Sequence, residues 1–315
     1  MAASSNYGGD RMTPYVQSFP YSDKRLFEPP RVQIPPPALD YQHGRPTFRV
    51  SSTSFGQMSG IYGDPTFLRA LTACYNLNMR HTMLSWQYEM RRTAQAIVPF
   101  LFLGPSSAAK DPEFVKRTGI TLLVAVRNTT SVRTRPAFLD PALFPSSEGI
   151  STLTFDFDSP YDFIPNLRPI VRAMNDHLAA TCIRTPPKDV SDIKGKILVF
   201  CESGNDRSTV LVAAYLMATF GISAVSAIHI IQSQRFSITT SDEMKNVLLD
   251  WQEIVKAERQ VAAGQQQASS FVLPQRPVKR NIDHVYDNDD AGLDSQQSGN
   301  LEVREGVAPF ADVAG

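Results

Sequence analysis

The sequence predicts an α/β fold, a mostly parallel central sheet flanked by helices, and three observations carry that prediction. Short β-rich apolar runs alternate with segments of helical periodicity between residues 95 and 258. Two of those runs, Gly119 to Val126 and Lys196 to Phe200, stay apolar at successive positions, as strands covered on both faces do. The stretches on either side are rich in proline or in glutamine, aspartate and serine, and show no such alternation. Strands and helices in alternation give a sheet with helices on both faces.

In chain order, eight of the 23 prolines fall within residues 1–50, among them Pro29-Pro30 and Pro35-Pro36-Pro37. Proline fixes φ and lacks a backbone donor, so residues 1–62 read as a disordered or extended Pro-rich arm. A solvated linker is the plain reading of that arm; a ligand for a partner's aromatic groove is the alternative. Residues 63–92 read as a helical extension. It opens at Asp64-Pro65 and repeats Leu68, Leu71, Tyr75 and Met79 at helical spacing, with Met79, Met83 and Met90 as core or interface filler. Residues 93–259 form the main domain. Its expected strands are Ile97 to Leu103, ending at Gly104; Gly119 to Val126; Thr152 to Phe157, closing at Asp158-Ser159-Pro160; and Lys196 to Phe200. Expected helices run from Pro165 to Leu178, from Ser208 to Phe220 with Gly221 as the stop, and from Ser223 to Gln234. A last helix has Thr240 and Glu243 as a capping box. Thr185 to Lys194 reads as a loop insertion. Residues 260–315, with Gln265-Gln266-Gln267 and Asp287-Asn288-Asp289-Asp290, read as a disordered tail.

Composition excludes whole classes of function. The 31 Lys and Arg balance the 31 Asp and Glu, which argues against a basic nucleic-acid binder and against an acidic polyelectrolyte. No apolar run approaches the 18 residues or so of a membrane span, and Met1 to Asp10 does not resemble a secretory signal. The three cysteines, Cys74, Cys182 and Cys201, are too few for a disulfide framework and suit a reducing compartment, cytoplasmic or nuclear. Pro277-Val278-Lys279-Arg280 adds a weak nuclear-import signal. His43, His81, His177, His229 and His284 are scattered without metal-ligand spacing.

Chemistry concentrates in Phe200-Cys201-Glu202-Ser203-Gly204-Asn205-Asp206-Arg207-Ser208. This loop joins a buried strand to a helix, where backbone N–H groups and the positive end of the helix converge on an anion. Gly204 lets the backbone curl, and Arg207 can grip two phosphate oxygens. The same field favours the thiolate of a cysteine at the base of the loop, so Cys201 is expected to be a nucleophile that Ser208 supports by hydrogen bonding. Residues Glu202 to Arg207 then form the phosphate-binding loop. An alkoxide or aryl oxide leaves poorly, so a general acid is needed. Asp158, in the loop after its strand, is the candidate; Asp162 is the near rival, and Asp156 lies further back. Cys74 and Cys182 read as small buried hydrophobes.

With Cys201, Gly204, Arg207 and Ser208 in the pattern His-Cys-x5-Arg-Ser/Thr, the sequence resembles the cysteine-dependent protein tyrosine and dual-specificity phosphatase superfamily. The similarity extends over about residues 92–258. Within it, Arg91-Arg92, Leu101-Phe102-Leu103-Gly104-Pro105, Ala218-Thr219-Phe220-Gly221 and Gln234-Arg235-Phe236 resemble the serine/threonine/tyrosine-interacting branch. The resemblance implies a dual-specificity-phosphatase-like fold, a phosphocysteine mechanism, and no metal or other cofactor. By carry-over it implies Cys201 as nucleophile, Arg207 as phosphate clamp, Ser208 as leaving-group helper and Asp158 as acid. Three departures matter. Phe200 stands in place of the family's His, and Thr240-Ser241 in place of a frequent Pro-Asn. Glu202 and Asp206 put two carboxylates in a loop meant for a dianion, so both are expected to point outward. Three readings follow: a phosphoprotein phosphatase; a pseudophosphatase that binds phosphoproteins or signalling and ubiquitin-ligase partners; and a phosphoinositide phosphatase. The last is disfavoured by the absence of a basic membrane patch.

Overall fold

The computed structural model describes residues 31–50 and 60–270 of the chain. The arm reading for 1–30 and 51–59, the tail reading beyond 270, His284 and the Pro277-Val278-Lys279-Arg280 motif lie outside the described residues. Eight strands are described: β1 (Asp40–Gln42), β2 (Arg45–Arg49), β3 (Arg80–Thr82), β4 (Gln95–Val98), β5 (Leu101–Pro105), β6 (Leu122–Asn128), β7 (Ser151–Phe157) and β8 (Ile197–Cys201). The longer helices are α1 (Pro65–Cys74), α2 (Pro112–Thr118), α3 (Phe163–Ala180), α4 (Arg207–Phe220), α5 (Ala224–Gln234) and α6 (Asp242–Ser270).

The main sheet runs β4-β5-β8-β6-β7. Strands β5, β8, β6 and β7 are parallel, and β4 pairs antiparallel with β5 on the edge. The fold class read from the sequence is therefore the one observed. Alternation along β8 shows how both faces are covered. Ile197, Val199 and Cys201 join the larger core with α3, α4, α5 and α6, whereas Leu198 and Phe200 join a smaller one beside α2. Helix α4 is buried from Ser208 to Thr219, as a helix central to the fold must be. The C-terminal ends of the parallel strands share one edge of the sheet, where the loops of an open α/β sheet gather into a crevice.

Several boundaries moved, each for a physical reason. The run Ile97 to Leu103 is two strands, not one, because Pro99, which has no N–H, breaks the ladder and the chain turns back at Pro99-Phe100. The supposed arm 1–62 is structured in part. Strands β1 and β2 form a hairpin about His43 and Gly44, whose φ values of 49° and 74° suit a two-residue turn, and β3 adds to its far side. Phe48 anchors it, 2% exposed and stacked on His81 at 5.4 Å. The helical extension ends at Cys74, well before Arg92, and Met79 is exposed rather than core. Asp64 does cap α1 as expected, accepting from Thr66 and Phe67 N–H. The cap of α6 falls on Ser241, whose Oγ accepts from Met244 N–H, not on Thr240, and the helix runs to Ser270 instead of ending near Gln260. Among the described residues no helix is long and apolar enough to cross a membrane.

Candidate active site

Strand β8 ends at Cys201 and α4 begins at Arg207, so Glu202 to Asp206 must turn the chain within five residues. Gly204 makes this possible. Its φ is +72°, and a Cβ there would lie 2.3 Å from the backbone carbon of Gly104 at the end of β5. Cys201 is 2% exposed. Its Sγ accepts from Gly204 N–H at 3.2 Å and from the Ser208 hydroxyl at 3.1 Å. The nucleophile candidate and its helper are thus in contact, and the turn is folded around the sulfur.

The peptide planes are set from behind by Arg235, a fully buried cation that sequence reasoning left without a role. Its Nε donates to the Gly204 carbonyl at 2.9 Å and its Nη2 to the Ser203 carbonyl at 3.0 Å. In a trans peptide N–H and C=O point oppositely, so drawing the Ser203 carbonyl back aims the Gly204 N–H forward at Cys201, while the Asn205 N–H donates to Ser203 Oγ at 3.3 Å. The same guanidinium also binds the carbonyls of Arg91 and Thr93 and the side chains of Gln95 and Asn205. Asn205 is held further by Ser237 Oγ at 3.0 Å and by Thr239 N–H on its carbonyl at 2.9 Å. Burial lowers the pKa of Arg235 to about 10, and the nearby Cys201 charge opposes that shift. Nothing local in the sequence marks Arg235. It follows a helix as an ordinary C-terminal cation would, and only the tertiary fold turns it inward.

Arg207, the clamp candidate, lies half-buried with its guanidinium 5.8 Å from the centre of the Phe157 ring. That contact brings the end of β7 to the loop, with Asp158 one residue on. The two rival acids are committed elsewhere. Asp156 makes a bidentate pair with Arg127 at 2.6 and 2.7 Å. Asp162 accepts from the N–H groups of Asp158 and Ser159 at 2.9 and 2.8 Å, shaping the turn that presents Asp158 to solvent.

The loop's own carboxylates do not simply point outward. Glu202 Oε2 lies 3.8 Å from Arg207 Nη1, on the group that would hold phosphate. Asp206 turns inward: its Oδ1 is buried without a hydrogen-bond partner, and burial raises its pKa against the opposing effects of Arg207 and the Ser241 backbone. Phe200, which replaces the family's His, is fully buried on the opposite face of β8 and packs on Phe144 at 5.8 Å. An apolar side chain suits that pocket, and the substitution leaves the Cys201 contacts in place.

The sequence model of the family described as dual specificity phosphatase, catalytic domain, matches residues 187–254. The chain is 31% identical over 176 residues to serine/threonine/tyrosine-interacting protein A of Xenopus laevis, which spans 55% of this chain and 70% of the relative. It is 29% identical over 164 residues to human dual specificity phosphatase 28, covering 51% of this chain and 79% of the relative. Against the crystal structure of the same human protein the TM-score is 0.41 at 27% identity, covering 52% of this chain and 95% of that one.

Proposed function

We propose, from the premise that the chain belongs to the dual-specificity phosphatase superfamily in its serine/threonine/tyrosine-interacting-like branch, that it hydrolyses phosphoprotein esters through a phosphocysteine. The observation that carries this reading is the convergence on Cys201 Sγ of Gly204 N–H and the Ser208 hydroxyl, with the loop carbonyls drawn back by Arg235. In the first step Sγ attacks phosphorus, Arg207 holds the equatorial oxygens, and Asp158 gives its proton to the departing oxygen. In the second, water attacks phosphorus as the S–P bond breaks, Asp158 takes a proton from the water, and Ser208 donates a hydrogen bond to the leaving sulfur. Phosphate and free thiolate result.

Acid-quenched reaction with an aryl phosphate tests this. The expected result is turnover above buffer background together with a phosphate-labelled protein whose label maps to Cys201. Background turnover and no labelled cysteine would overturn it.

A second reading, a binder that holds phosphoprotein without turnover, is favoured by one contact, the Glu202 carboxylate on Arg207. Glu202 then acts as a built-in competitor for the clamp. A like charge about 6 Å from a bound anion, in a partly wet site, costs on the order of 1–2 kcal/mol. Glu202→Gln is therefore expected to tighten vanadate binding about tenfold. Calorimetric titration checks it, and unchanged or weaker binding would show that Glu202 is not a competitor.

A further inference from the structure

We propose that the groove between α5 and the Phe236–Asp242 turn is a docking site for extended proline-rich peptides, and that residues Arg31–Leu39 of this chain are its resident occupant. The sequence reading of this segment as solvated linker does not hold, because it is bound to the body of the domain. Val32, Ile34 and Pro37 are half-buried, while Gln33, Pro35 and Pro36 face outward. The Val32 carbonyl accepts from Lys245 Nζ at 3.0 Å, and the Pro35 carbonyl from His229 Nε2 at 2.7 Å. The carbonyls at 32 and 35 thus face α6 and α5, at the three-residue spacing in which an extended proline-rich chain repeats. Val32 N–H is held in turn by the Asp242 carboxylate, so Asp242 and Lys245, one helical turn apart, take both backbone groups of one residue.

These anchors read main chain, which makes them indifferent to most side chains, and the spacing of the inward ones sets the preference. The groove asks for apolar residues at the places of Val32 and Ile34 and for proline three residues after the second. Proline suits it because its conformation is fixed before binding and little entropy is lost. Beside the segment lies a cavity of about 1030 Å³, lined by Phe48, Met83, Ile228, Phe236 and Ile238 together with the prolines themselves. Phe236 is 58% exposed at its edge. His229, Lys245 and Asp242 have no part in the Cys201 site. An occupant tethered in the same chain acts at a high effective concentration, so a second peptide gains entry only when the first is released.

A fluorescein-labelled peptide with the sequence of residues 31–40 tests the site on full-length chains. Binding to Ile34→Asp/Pro37→Asp, whose own segment is released, is expected to be at least tenfold tighter than to wild type. Adding His229→Ala/Lys245→Ala to that variant is expected to remove the gain. Equal affinity for wild type and the released variant, or a gain that survives loss of His229 and Lys245, would overturn the proposal. Hydrogen exchange gives a second measurement that needs no released variant. The Val32 amide is expected to be protected in wild type and to exchange freely in Asp242→Ala; an unprotected Val32 amide in wild type would overturn it too.

Discussion

Cys201→Ser is expected to lower turnover of an aryl phosphate by about 10⁴-fold or more, while vanadate binding changes only a few-fold. On the proposed covalent mechanism the magnitude follows from removing its nucleophile, the most costly single deletion in such a site. A serine hydroxyl is far less nucleophilic than a thiolate at neutral pH, and the contacts around Sγ supply donors rather than a base. Gly204 N–H and the Ser208 hydroxyl both point at the sulfur, at 3.2 and 3.1 Å. Neither contact is a base that could take a proton from a serine hydroxyl put in the place of the thiol. The rest of the cradle does not depend on sulfur, since Gly204 and Ser203 are held by Arg235. Steady-state rates and vanadate affinity for both proteins decide the matter. A variant as active as wild type would assign the turnover to some other nucleophile.

The sequence made the candidate phosphate loop legible because its information is local. A buried strand, a glycine at the turn, an arginine and a helix lie within two dozen residues, and the structure brings Cys201, Gly204 and Ser208 into direct contact. The parallel strands were legible for the same reason, since burial on both faces leaves continuous apolar runs such as Leu122 to Val126. What was not legible depends on long-range contacts. Arg235 works through carbonyls more than 30 residues before it, and Gln95 meets it from across the sheet. The hairpin at residues 40–49 was hidden by surrounding prolines, because its buried aromatic anchor, Phe48, finds its partners on β3 and α5. What Asp156 and Asp162 bond to was likewise hidden, since Asp156 pairs with Arg127 on the neighbouring strand and Asp162 reaches back to the backbone of the turn before it.

Arg235→Ala is expected to destabilise the fold by about 3–5 kcal/mol and to abolish vanadate binding. Truncation empties a fully buried volume and leaves the carbonyls of Arg91, Thr93, Ser203 and Gly204 without their donor. For a domain of this size the loss lowers Tm by on the order of 10 °C. The second effect is electrostatic. The buried positive charge lies close enough to Cys201 for the two to interact, so Arg235 gives the candidate anion site a fixed cation as well as pinning the loop. Arg235→Lys separates the two roles. A lysine keeps the charge but is a single point donor, unable to span acceptors that the planar fork reaches from Nε, Nη1 and Nη2. It is expected to retain part of the stability while vanadate binding stays at least tenfold weaker than in wild type. Thermal unfolding and vanadate titration of both variants provide the check. Wild-type affinity in a destabilised Arg235→Lys would reduce Arg235 to a core pin with no part in shaping the anion site.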